Sequence, residues 1–241
     1  MILHLQGVEV GSTTVVAQVT EGGYKIFRPD GPGPYPAVVF ISGCSGFTPG
    51  FAPKHYKLVA EKFRAKGFVV VFADYLDRRG KNSCIEITTV DAAEDLVAAA
   101  AWLKSQPSID PARITAIGWS FGGGAVLIAV NKYKIEQLAF SRAIVYYPSC
   151  GGLWQWKPKV PVLMLLASED RIAPNIMCQD AAKESAIPDA VKMVIYPGTQ
   201  HCFDMSELPP ETYYEFGRIG YHPQAAAAAW EEVERFLQSA R

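Results

Sequence analysis

The serine at position 120 is flanked in a way that could make it a nucleophile. Residues 114–124 read ITAIGWSFGGG, a short apolar strand running into Gly118-Trp119-Ser120-Phe121-Gly122 and then into a small-residue apolar stretch, GGAVLIAV. This is a G-x-S-x-G arrangement between a strand and a helix. A serine at such a turn is forced into a left-handed backbone conformation, tolerable only when the residues two before and two after it lack side chains. The strain aims the hydroxyl out of the sheet, and the helix that starts there favours developing negative charge.

A serine hydroxyl is a poor nucleophile until a base takes its proton, and the base needs a third group to fix its tautomer. In an open α/β sheet, such groups lie just beyond the carboxyl ends of strands. Asp170, in ASEDRIAP, follows the apolar run VPVLMLLA, and His201, in GTQHCFDM, follows VKMVIYP. The chain order Ser120, Asp170, His201 suits this kind of sheet. Glu169 should point away from the site. His222 reads as the residue entering the last helix, while His55 on an early helix and His4 on the first strand are not placed for the site.

Two backbone N–H groups must meet the oxyanion of a tetrahedral intermediate. One is expected from Phe121, after the serine. The other is expected from the glycine-rich loop Ser42-Gly43-Cys44-Ser45-Gly46, with Cys44 as donor through its N–H rather than its sulfur. A cysteine nucleophile, a redox pair or a metal site is the alternative raised by Cys44 and Cys202, although no second set of metal ligands is evident.

The elements that must hold these groups are legible as apolar runs. Strands are expected at 37–41, 68–73, 113–119, 142–148, 160–167 and 191–197. Helices are expected near Lys54–Lys66 and Val90–Lys104, after the elbow, from Pro174, and over PQAAAAAWEEVERFL. Continuous rather than alternating apolar character means strands covered on both faces, hence a mostly parallel sheet between helices. The stretch before Asp30 alternates weakly and reads as antiparallel edge strands turning at Gly11 and at Gly22-Gly23.

The chain of 241 residues, 49% hydrophobic, divides at no linker or repeat, so one domain over 1–241 is expected. A formal net charge of −1 gives no field to draw it to nucleic acid or anionic membrane. No stretch has the length to span a bilayer and no leader is visible, so a cytoplasmic location is expected. The five cysteines form no spacing pattern and are odd in number, which argues against a disulfide framework.

With these residues in view, the chain resembles the dienelactone hydrolase family of α/β-hydrolases. The resemblance runs through GCSGF, FADYLDRRG, GWSFGG, SEDRIAP, YPGTQHCFD and YHPQAAAAAWEEVERFL. It implies a single-domain α/β-hydrolase fold without a large cap, no cofactor and no metal. It also implies Ser120 as nucleophile, His201 as base and Asp170 as orienting carboxylate. Two departures stand out. The namesake enzymes carry Cys in the elbow and a glutamate in the oxyanion loop, where this chain has Ser120 and Gly43. They also hold a substrate carboxylate with two arginines, where this chain has Arg78 and Met205.

The expected activity is hydrolysis of a small-molecule carboxylic ester or lactone by a monomer or homodimer. Thioester, peptide or acyl-transfer chemistry on the same residues is the alternative, followed by a non-catalytic binder. The SCGGLWQWKPK connection leaves no room for a lid, so the site should be open and walled by loops. Phe47, Phe51, Tyr75, Trp119, Phe121, Trp154 and Phe203 crowd those loops and suggest an apolar acyl or aryl ester, with Trp119, Phe47, Tyr75, Trp154, Phe203 and Arg78 as candidate substrate contacts.

Overall fold

A computed structural model describes residues 19–47, 52–153, 156–185, 190–214 and 217–239. Its centre is an eight-stranded sheet in the order β1-β2-β4-β3-β5-β6-β7-β8. Strands β1 (Val19–Glu21) and β2 (Tyr24–Phe27) form an antiparallel hairpin, turning at Gly22 and Gly23, both with positive φ, and β2 joins β4 antiparallel. The expected turn at Gly11 lies outside the described residues.

The other strands pair in parallel: β3 (Tyr35–Ile41), β4 (Val69–Phe72), β5 (Ile109–Trp119), β6 (Arg142–Tyr146), β7 (Val162–Ala167) and β8 (Val191–Tyr196). Strands β3, β4, β6 and β7 follow the apolar runs, because only an apolar strand can be covered on both faces, whereas β5 begins ahead of its run and the edge strand β8 is partly exposed. Val38, Val39, Phe40, Ala116, Ile144, Val145, Leu163 and Met164 have no exposed surface.

Helices cover both faces. Helix α1 (Ala52–Ala65) and α7 (Pro223–Gln238) pack on one side, where Phe63 meets Trp230 edge-on at 5.1 Å. Ala225, Ala229 and Val233, spaced by four, form the buried stripe of α7, so its alanines make a thin face that lets the helix approach the sheet. Helices α3 (Thr89–Lys104), α4 (Ser120–Lys132) and α6 (Asn175–Lys183) feed the core on the other face. Thr88 caps α3 in a reciprocal box with Asp91. His222 caps α7, its Nδ1 accepting from the Ala225 N–H at 3.2 Å, as its position in the sequence indicates.

Several short elements have no clear apolar signature and were not expected. These are α2 (Tyr75–Arg79), a single 3-10 turn at Cys84–Glu86, α5 (Ile135–Leu138) and the hairpin β9–β10 (Thr212–Tyr214, Gly217–Ile219). Among the described residues, no helix is long and apolar enough to cross a membrane.

Candidate active site

Ser120 opens α4 immediately after β5, with φ +51. Its flanking glycines are required by contact. A Cβ on Gly118 would lie 2.6 Å from the Gly122 carbonyl oxygen, and one on Gly122 would lie 2.6 Å from the Ile41 oxygen. A side chain at Gly122 would push the elbow away from the end of β3 and one at Gly118 would push α4 off β5, so the tight turn needs glycine on both sides.

Asp170 follows β7 and His201 follows β8, and both are buried. Ser120 Oγ lies 2.9 Å from His201 Nε2, and His201 Nδ1 lies 2.7 Å from Asp170 Oδ2. The other Asp170 oxygen accepts from the backbone N–H groups of Ile172 and Ala173, each at 2.9 Å. Asp170 therefore closes a loop turn and faces the imidazole at once. The tautomer with its proton on Nδ1 would donate to the Asp170 carboxylate and present the Nε2 lone pair to the serine. Glu169 is exposed, whereas Asp170 is buried. His201 is itself tied down by a bridge to Ile219, with the Gly220 N–H donating to its carbonyl.

Two tyrosines clamp the loop after β3. The Gly43 N–H donates to the Tyr56 hydroxyl at 2.9 Å, and the Tyr75 hydroxyl donates to the Gly43 carbonyl at 2.6 Å. Burial pushes both phenols above their ordinary range, so they remain neutral hydrogen-bonding groups. With the Gly43 N–H engaged by Tyr56, Cys44 is the next backbone donor along the loop, and Cys44, Ser120 and Phe121 line the same cavity. Gly43 itself approaches Ser120 so closely that a Cβ there would sit 3.4 Å from the serine Cβ. A longer side chain at that position would enter the reaction space.

A buried carboxylate missed in the sequence supports this site from below. Asp204 receives the Trp119 indole N–H at 2.9 Å and the Tyr147 hydroxyl at 2.6 Å, and His55 Nε2 lies 3.1 Å away at ion-pair distance. Burial would raise the Asp204 pKa. The His55 charge and the hydrogen bonds from Tyr147 and Trp119 outweigh that and hold the carboxyl below its ordinary value. Trp119 precedes the serine, and the Tyr147 ring lies 4.5 Å from the His201 ring, so Asp204 braces both neighbours of the Ser–His pair. His55 thus belongs to the support of the site, contrary to its reading as a residue placed elsewhere. The only sequence cue was an acidic residue three positions beyond His201.

The cysteines correct a second expectation. Cys44 is bonded to Cys84 and Cys150 to Cys178, which leaves Cys202 free and buried. The partners are separated by 40 and 28 residues, and sheet topology rather than sequence spacing brings them together. Burial, with Asp204 and Asp170 nearby, raises the Cys202 thiol well above its ordinary pKa. It is therefore no thiolate, and the sulfur of Cys44 is occupied. Titration of denatured, unreduced protein should count one thiol, and reduction should raise the count to five; more than one before reduction would contradict the pairing.

Among the expected substrate contacts, Trp119 lines the cavity with Ser120 and His201. Three others sit behind it. Phe47 stacks on Phe72 at 4.3 Å, Tyr75 holds the Gly43 loop, and Phe203 is fully buried against Tyr147 and Tyr196. Arg78 does not reach the cavity. Helix α2 turns it toward the buried Asp95 carboxylate, with Nε 3.5 Å from Oδ1, and over the Tyr24 ring at 5.2 Å. Asp95 also takes Arg79 Nε at 2.6 Å, so the pair of arginines neutralises a carboxylate in the fold. Trp154 and Phe51 lie outside the described residues. Met205, noted at a substrate-binding position of the family, lines the cavity, and the sequence reading missed Ile85, Tyr147, Ile172, Tyr214 and Ile219, which line it too. Apolar residues scattered over separate loops and short elements carry no periodic signal.

Known proteins are similar to this chain in sequence and in fold. The chain is 22% identical over 247 residues to a Synechocystis protein named "Putative carboxymethylenebutenolidase", covering 90% of this chain and 91% of that one. Its fold is similar to a Klebsiella pneumoniae structure described as "Putative Dienelactone Hydrolase", with TM-score 0.72, 16% identity and coverage of 90% and 92%. It is also similar to esterase 2 of Thermogutta terrifontis, solved phosphorylated by paraoxon, with TM-score 0.66, 19% identity and 91% of each chain covered. The family model described as "Dienelactone hydrolase family" matches residues 22–241. The chain therefore belongs to the dienelactone hydrolase family and is, by that membership, a carboxylic ester hydrolase.

Proposed function

We propose that the chain, folded as one domain, hydrolyses carboxylic esters or lactones through an acyl-enzyme formed on Ser120. The observation that carries this reading is the unbroken series Ser120 Oγ, His201 Nε2, His201 Nδ1, Asp170 Oδ2, joined at 2.9 and 2.7 Å.

In the first half-reaction Ser120 Oγ attacks the carbonyl carbon as His201 Nε2 takes its proton. Asp170 stabilises the imidazolium and keeps its ring oriented. The Phe121 and Cys44 N–H groups receive the oxyanion, each contributing about 3 kcal/mol in comparable sites. Nε2 then gives its proton to the departing alkoxide, and the alcohol leaves. In the second half-reaction water attacks the acyl-serine, His201 again takes and returns the proton, and the acid is released. A lactone follows the same steps with its alcohol still tethered.

Asp170→Asn tests the role of the orienting carboxylate. It should preserve the fold yet lower kcat on a p-nitrophenyl ester by about 10⁴, because the amide can donate to Nδ1 and select the wrong tautomer. A kcat within tenfold of wild type would remove Asp170 from the mechanism. The two disulfides bear on location, since such bonds persist in oxidising compartments and are rare in the cytosol. They weigh against the cytoplasmic setting expected from the sequence.

A further inference from the structure

We infer that this site accepts uncharged esters with compact apolar acyl groups and rejects those carrying a carboxylate, with Ile85 forming part of the selecting wall. The inference rests on the acyl-enzyme reading above and adds a substrate class to it.

Three observations carry it. The cavity above Ser120 has a volume of about 230 Å³, and among the described residues no Lys, Arg, Asp or Glu lines it. Ile85, Ile172, Met205, Tyr214 and Ile219 supply much of its surface. The stretches outside the described residues contain no lysine, and their one arginine is Arg241 at the chain end. A substrate carboxylate would therefore give up water with no cation to meet it.

Neither position that the family resemblance pairs with a substrate carboxylate supplies a cation here. Arg78 is turned to Asp95, and Met205 places a buried thioether against the cavity. Ile85 is the third observation. It is 77% exposed, yet it lines the cavity from the 3-10 turn whose first residue, Cys84, is bonded to Cys44. The disulfide thus ties an apolar side chain, otherwise open to water, to the loop that carries the proposed oxyanion donor. An apolar acyl chain would cover that isoleucine, and an anionic one would leave both groups poorly solvated.

The test compares p-nitrophenyl hexanoate with the mono-p-nitrophenyl ester of adipate. The two differ at the acyl terminus, methyl against carboxylate. The kcat/KM for hexanoate should exceed that for adipate by about 100-fold or more, and from acetate to hexanoate kcat/KM should climb about two- to fourfold per methylene. Ile85→Arg, a change at an exposed position, should shrink the hexanoate-to-adipate ratio by about two- to fivefold by raising adipate turnover. Equal turnover of the two esters, or preference for adipate, by an enzyme that still uses Ser120 would overturn the inference and leave the hydrolase reading standing. An unchanged ratio in Ile85→Arg would remove Ile85 from the wall. Failure to turn over either ester would overturn both readings together.

Discussion

Ser120→Ala should lower kcat on a p-nitrophenyl ester by about 10⁴ to 10⁶, leaving the residual rate that binding and the oxyanion donors alone can sustain. The loss is large because Oγ is both the attacking atom and the hydrogen-bond partner of His201 Nε2 at 2.9 Å. The fold should be little affected. The flanking glycines keep the elbow compact whatever the side chain at 120, and alanine removes one atom from a position that lines an open cavity. Thermal unfolding should therefore move by no more than a few degrees. If activity and Tm fell together, the serine would be a structural residue and the kinetic loss would say nothing about catalysis.

Asp204→Ala is expected to have the largest effect on stability, and it acts through residues that never touch substrate. Removing the carboxylate strips the buried Tyr147 hydroxyl and Trp119 indole of their acceptor and leaves His55 without its counter-charge. The combined cost should be about 3–5 kcal/mol, a fall in Tm of roughly 6–20 °C for a chain of this size. Because Trp119 and Tyr147 flank Ser120 and His201, kcat should drop as well, while KM for a small neutral ester changes less. Asp204→Asn, which keeps an acceptor oxygen, should recover part of both losses.

The carboxyl is held below its ordinary value of 3.8, so its contribution is fully present above that pH and drains away only as pH falls through the lowered value. Stability from this group should be constant across the neutral range. A variant with unchanged Tm, measured by calorimetry at pH 7, would show that Asp204 is not the brace described here.

The sheet could be read from the sequence because most of its parallel strands are short, continuous apolar runs, and the sheet in turn fixed where Asp170 and His201 had to stand. The elbow was legible for a steric reason that the structure repeats, since Gly118 and Gly122 have no space for a side chain. Asp204 and His55 were illegible because each looks ordinary alone, an acid in a loop and a histidine on an amphipathic helix. Their partnership exists only after α1 is packed beneath β5. The cysteine pairs failed for the same reason. Arg78 failed differently. Its place beyond β4 was correct, but the short helix α2 points its guanidinium to Asp95, and such a one-turn element leaves no periodic trace.

The most direct measurement is the site of covalent labelling by a fluorophosphonate, located by peptide mass spectrometry on the unreduced protein. The account predicts one adduct per chain, on the peptide containing Ser120, and none in Ser120→Ala. An adduct on any other residue, or esterase activity that persists while Ser120 remains unlabelled, would contradict it.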